Sequence, residues 1–438
     1  MKDKLFALTF LQTSKEGNSY DLSFFCLLLL ICTIPLPNLV NNVIVGIMVL
    51  HSFFKWKKRI FYFTKEMIFP ILLFVWMAIS CVWSIDFLES LHALPKESSL
   101  LLFPFACALI FYQNKELLIK FYSTSISLYA IFFLLRSVFR FFIENNNTVF
   151  FGHELVTKDL NAIHFSAFVS LAFFYFLTKA SKVIQDYLQL ILLVLFLLLL
   201  NSKIIILTDI VLIGLYFFFY SKSANKMRLR NIVLLVSLLF SFVFFNKIRD
   251  KIEFEFQLHK ENNIGHTVIP KEIVGEKIIS MKEAWENDKF EQSDFFSGAS
   301  FRVYQLRMFL EIMKEENVLL QGLGLNASYK KLEEKGIKYN VFQGNETTEG
   351  YQKKNFHNQY IQIFAELGLI GFVLLILTLF LNLKNAVNNK DFIHIAFAIL
   401  MISLFLTESF LWRQRGVVFF TAFYCLFNIT NNVQTRKN

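Results

Sequence analysis

The sequence predicts an all-α polytopic membrane protein of about twelve transmembrane helices, with one large polar loop that itself contains helix. Three observations carry this expectation. Of 438 residues, 55% are apolar and only 18% charged, against about 25% charged in a soluble domain. Mean hydropathy is +0.49. The apolar residues form runs near the ~20 residues a span needs, separated by short polar stretches that alternate in Lys and Arg content.

The expected spans, in order, are 21–36, 39–54, 68–83, 99–112, 121–143, 162–178, 187–200, 204–220, 232–246, 360–381, 392–406 and 417–429. Several are short, as local thinning of a bilayer allows. The first follows Lys2, Lys4 and Lys15 and runs into Thr33-Ile34-Pro35-Leu36-Pro37 without a small-x-small cleavage site. It reads as a retained helix rather than a cleaved signal. With the N-terminus in the cytoplasm, the inside segments hold 20 Lys and Arg and the short outside loops five. That bias supports twelve spans with both termini inside. The expected organisation is a membrane unit over 1–246, a large periplasmic loop over 247–356 and a second membrane unit over 357–438.

The formal net charge of +10 would suggest nucleic acid in a soluble chain. Here the excess sits in short loops between apolar runs, so it reads as topological charge, and no nucleic-acid motif accompanies it. The five cysteines (Cys26, Cys32, Cys81, Cys107 and Cys425) fall inside apolar runs, which disfavours a disulfide framework or a zinc site. The 247–356 loop carries 17 basic and 18 acidic residues, so it is not a polybasic lipid-binding arm. Within it, Phe301, Leu306, Phe309, Leu310 and Met313 recur near helical spacing, and Gly322-Leu323-Gly324 closes the unit as a turn.

His357 stands where the loop opens the tenth span. An imidazole there can act as general base for a hydroxyl nucleophile, or can sit at the headgroup level as an interfacial side chain. Gly368 and Gly371, farther along the same span, allow close approach of a neighbouring segment. Lys203 follows Asn201-Ser202 in a short outside turn, where a charge is costly without a partner. Arg302 heads the loop helix. Arg136 and Arg140 lie one turn apart near the outer end of the fifth span. Such cations suit a phosphate or diphosphate, or lipid headgroups reached by snorkelling. Thr407-Glu408 with Arg413 and Arg415 bridges the last two spans, where Glu408 can pair with an arginine or orient His357. His164 reads as polar packing. No P-loop, HExxH, GxSxG or paired-Asp metal motif is present, so nucleotide-driven and metal-dependent chemistry are disfavoured and no cofactor is expected.

His357-Asn358, nine residues, Gly368, two residues and Gly371 resemble the signature of the O-antigen ligase family. Arg302 with the Gly322-Leu323-Gly324 turn resembles that family's Arg-headed loop helix and following turn. Asn201-Ser202-Lys203 resembles its Ser-Arg pair, Thr407-Glu408 through Gly416 its closing loop, and Val82-Trp83-Ser84 an early one. The resemblance implies a GT-C-like inner-membrane glycosyltransferase without metal or nucleotide. Such enzymes move a glycan from undecaprenyl diphosphate to a sugar hydroxyl of lipid A–core on the periplasmic side. It further implies that Lys203 and Arg302 hold the diphosphate and that His357 activates the acceptor, with Asn358, Gly368, Gly371, Glu408, Arg413, Arg415, Arg136 and Arg140 in support. Two departures stand out: Lys203 where the family usually has arginine, and Asn317 where proline is usual. An O-antigen polymerase and a protein O-oligosaccharyltransferase share the donor. A lipid-linked glycan transporter is the reading from another class, and it should place charges in mid-span.

Overall fold

The computed structural model describes residues 22–55, 64–109, 114–157, 159–221, 277–346 and 349–435. The expected ninth span, the Lys2–Lys15 stretch, Lys158 and the first part of the polar loop lie outside the described residues. The described chain is almost entirely helical. Its first part comprises α1 (Leu22–Thr33), α2 (Asn38–Lys55), α3 (Ile68–Ser80), α4 (Phe87–Glu97), α5 (Ser99–Leu109), α6 (Lys115–Glu144), α7 (Gly152–Leu155), α8 (Ala162–Thr178), α9 (Ile184–Leu200) and α10 (Lys203–Leu215), the last continued by a π-turn to Tyr220. Then follow α11 (Met281–Glu286), α12 (Gly298–Glu316), α13 (Ser328–Lys338), α14 (Gln359–Asn388), α15 (Phe392–Leu404) and α16 (Gln414–Thr435). Two short strands, β1 (Ile278–Ile279) and β2 (Phe295–Phe296), pair in parallel.

By length and composition, four of the described helical segments can cross a membrane: Lys65–Trp83, Lys115–Glu144, Lys203–Tyr220 and Gln359–Asn388. Shorter apolar helices stand beside them. The architecture is consistent with an all-α polytopic membrane fold. Polar side chains set several helix starts. Asp86 accepts from Glu89, Asn114 from Leu117, Asn161 from Ile163 and His164, and Asp391 from His394, each through backbone N–H groups otherwise unpartnered at a helix start.

The centre of the bundle is built from phenylalanine. α8 is buried around nearly its whole circumference, as a helix apolar on all faces should be. Phe168 of α8 lies 4.3 Å from Phe419 of α16, which in turn lies 4.9 Å from Phe423. Between apolar helices in lipid, contact density of this kind replaces water exclusion as the source of cohesion. At the lower end Lys115 pairs with Asp391 at 2.5 Å, and Phe392 packs on Tyr216 and Tyr220. At the upper end the buried Arg415 donates to the carbonyls of Ile34, Leu36 and Asp159. One side chain thereby ties the loops after α1 and before α8 to the start of α16.

A second hydrophobic core lies within the described part of the polar loop. It joins Ile279, Phe290, Phe296, Phe301, Tyr304, Met308, Ile312 and Phe356, and it reaches Ala365 on the first turns of α14. The expected helix over 301–313 is α12, longer by three residues at each end. Helices α11 and α13 were not anticipated. Neither was α4, an amphipathic helix between two apolar ones whose sequence reads as loop. Sequence reasoning did not single out Asp209, a carboxylate buried midway along α10, where the Ser170 hydroxyl of α8 donates to it.

Candidate functional site

The upper end of α14 is broken, and the break positions the site. Gly368 has φ of 64° and ψ of −165° inside an otherwise helical run. The backbone of 318–324 docks into this break. Leu369 donates to the Leu319 carbonyl at 2.8 Å, Leu323 to Ala365 at 2.9 Å and Gly324 to Glu366 at 2.8 Å. Two glycines make the approach possible. A Cβ on Gly368 would lie 2.3 Å from the Leu320 carbonyl oxygen, and one on Gly322, at φ of 75°, would lie 2.3 Å from that of Glu366. Trp76 donates to the Leu367 carbonyl and Trp83 to that of Gln321, which steadies both sides of the joint. The Gly-x-Gly turn and the Gly-x-x-Gly segment, 46 residues apart at Gly322 and Gly368, are thus two halves of one contact. Gly371 is buried one turn on, against the Leu367 side chain.

His357 sits just before this helix in the left-handed region, with φ of 48°. Backbone strain of this sort in a non-glycine residue collects at functional sites. The Asn355 side chain accepts the His357 N–H at 2.9 Å. Asn358 caps α14 by accepting from Tyr360 and Ile361, and its amide donates to the Leu406 carbonyl at 3.0 Å. The imidazole meets the Phe301 ring edge to face at 5.8 Å. It is therefore held from both its backbone and its ring.

Glu408, in the loop between α15 and α16, joins this histidine to Arg302. Its Oε2 is 3.8 Å from His357 Nδ1 and its Oε1 is 3.8 Å from Arg302 Nη2. At that separation both contacts are electrostatic rather than hydrogen bonds. Arg302 also donates from Nη1 to the Gly298 carbonyl and from Nη2 to the Thr407 carbonyl. Its side chain is 38% exposed, and a guanidinium carries five N–H donors, so donors remain for an incoming anion. Burial alone would raise the Glu408 carboxyl, but His357, His164 and Arg302 outweigh it and hold the group below its ordinary range. The arrangement offers an imidazole oriented by an ionised carboxylate beside a partly exposed guanidinium. It can take a proton from a hydroxyl next to a bound anion.

The other expected residues fall in different places. Lys203 opens α10 and is exposed. Arg140 binds Glu144 and Glu154 and the Glu154 carbonyl, while Arg136 donates to the Val156 carbonyl. Both arginines hold the connection from α6 to α8. Glu408 turns to Arg302 and His357 rather than to Arg413 or Arg415. Arg413 is exposed, and Arg415 is committed to loop carbonyls. His164 is buried, with its ring 4.6 Å from that of Phe410.

Sequence reasoning missed the support beneath this cluster. Gln362 Oε1 accepts from the Phe356 N–H at 3.3 Å and the Ser409 hydroxyl at 3.4 Å, and its amide donates to the buried Glu366 carboxylate. It thereby links the residue before His357 to the residue after Glu408. The available signal was a Gln and a Glu at helical spacing from Asn358, polar residues on the buried side of an otherwise apolar helix. Among the described residues, no group of three or more His, Cys, Asp or Glu side chains is placed to hold a metal ion.

The family model for O-antigen ligases matches residues 188–376. That range includes Lys203, Arg302, His357 and both glycines of the α14 break, and it ends before Glu408. A search of curated proteins returns no match.

Proposed function

We propose that this chain, which resembles the O-antigen ligases over residues 188–376, transfers a glycan from undecaprenyl diphosphate to a sugar hydroxyl of lipid A–core. The reaction takes place on the periplasmic face of a bacterial inner membrane, with both chain termini in the cytoplasm and about twelve spans between them. The observation that carries the reading is the Arg302–Glu408–His357 cluster, with Glu408 3.8 Å from each partner. His357 accepts the proton of the acceptor hydroxyl as its oxygen attacks the anomeric carbon. The bond from that carbon to the diphosphate oxygen breaks, and undecaprenyl diphosphate leaves with the electron pair. Arg302 offsets the negative charge that grows on the leaving group, and Lys203, at the start of α10, is proposed as a second cation for it. Glu408 keeps the imidazole oriented and stabilises its protonated form. Direct displacement inverts the anomeric centre and needs neither metal nor nucleotide in this scheme.

A polymerase or a protein O-oligosaccharyltransferase would use the same donor and cluster and differ in acceptor. Transport of the lipid-linked glycan is the reading from another class. Asp209, in mid-span, is the feature that would favour it, but that carboxylate is engaged by Ser170 within the bundle.

A deletion strain tests the assignment on a lipopolysaccharide gel. Ligase loss removes every capped form, whereas core bearing one unit marks a polymerase. Complementation with Arg302→Ala should fail or nearly fail, since a charge-assisted contact to phosphate is worth roughly 1.5–3 kcal/mol, about 10- to 150-fold. Full restoration by Arg302→Ala would move the donor site elsewhere.

A further inference from the structure

A small well lies beside the cluster, bounded by α4, α14 and the turn at Phe410–Trp412. Its free volume is about 20 Å³, room for one water-sized group. Trp412 and Lys96 form the lip, with the Lys96 ammonium 5.4 Å from the indole centroid. The Tyr329 ring lies 5.6 Å from Trp412. The indole N–H donates to Asn326 at 2.7 Å, which fixes the ring. In the wall stands Glu97, only 5% exposed, whose Oε2 has no hydrogen-bond partner among the described residues.

A buried polar atom without a partner is costly, and native proteins rarely leave one unless something else satisfies it. A pyranose is suited to this place. Its C–H face carries slight positive charge and fits against an aromatic ring face, while a hydroxyl at its edge can reach inward. Burial, then the neighbouring Glu366 carboxylate, push Glu97 well above its ordinary range. A neutral carboxyl can both accept from and donate to a sugar hydroxyl.

The well is also wired to the acceptor side of the cluster. Gln362 lines it and holds Phe356 and Ser409. Arg302 does not line it.

We propose that this well is a subsite for a sugar of the acceptor glycan, in which one hydroxyl enters to meet Glu97 Oε2 while the ring rests on Trp412. The proposal rests on the glycan-transfer reading for the reaction, but its binding step can be measured apart from it.

The purified full-length protein in detergent, assayed with lipid-linked donor and lipid A–core, supplies the kinetic arm. Trp412→Ala and Glu97→Leu should each raise the acceptor KM about tenfold or more, with the effect on acceptor KM rather than on kcat or donor KM. Glu97→Gln, which keeps a hydrogen-bonding group in place, should recover much of the lost affinity where Glu97→Leu does not. The second arm is calorimetric titration with delipidated core oligosaccharide in the absence of donor. Binding to the unaltered protein that weakens in Glu97→Leu supports the subsite, whatever the outcome of the transfer assay. Unchanged acceptor KM in both variants, an effect on donor KM instead, or equal oligosaccharide binding with and without Glu97→Leu overturns it. A wild-type protein that binds the oligosaccharide yet transfers nothing counts against the transfer reading, not the subsite.

Discussion

At Glu408 burial opposes the charged carboxylate, while His357, His164 and Arg302 favour it, and the second influence wins. A carboxyl whose folded value lies below its ordinary 4.5 contributes stability that is fully present above that value. The contribution fades as pH falls through the lowered folded value. Thermal unfolding in detergent should therefore show wild type more stable than Glu408→Gln at pH 7, with the gap closing as pH falls below 4.5. A gap that is constant over this range would remove ionised Glu408 from the cluster's stabilisation. At this scale the sequence marks His357 and Arg302 as candidates, because each opens a helix at the edge of the polar loop, with the interfacial and snorkelling readings left open beside them. The partner of both was left open, since Glu408 lies 51 residues from His357 and 106 from Arg302. Arg415 and Arg140 were legible as cations only. Nothing in a sequence says that a guanidinium will be spent on backbone carbonyls.

The broken helix α14 is the element on which the site depends. Its two halves meet at a positive φ, and the 318–324 turn fills the gap. Gly368→Ala adds strain of about 1–3 kcal/mol from the backbone alone, and it sets a Cβ 2.3 Å from the Leu320 carbonyl oxygen. The variant should show a lower unfolding temperature in detergent and weaker transfer, because the joint lies eleven residues after His357, which lies just before the same helix. Wild-type stability and activity in Gly368→Ala would mean that the joint is not needed to hold the site. The spacing of the glycines is plain in the sequence, but the mate of each glycine is not, since their contact is long-range. The missed α4 has a different cause. Eleven residues of mixed polarity between two apolar helices make a short segment, and Pro95 inside it reads in sequence as a helix breaker.

For the whole molecule, most apolar runs became helices close to their expected limits, because a run of that length has few other stable states in lipid. The proposed orientation rests on the Lys and Arg bias. A reporter fused within 277–346 should behave as exported, and a cytoplasmic readout there would invert the account. Central to that account is His357 as the base for a single displacement. The most direct test is purified His357→Ala with lipid-linked donor and acceptor, measuring turnover, donor binding and product anomeric configuration together. Turnover should fall by about 10² to 10⁴-fold while donor binding persists, and the wild-type product should carry the inverted linkage. Normal turnover in His357→Ala, or a wild-type product that retains the donor configuration, would contradict it.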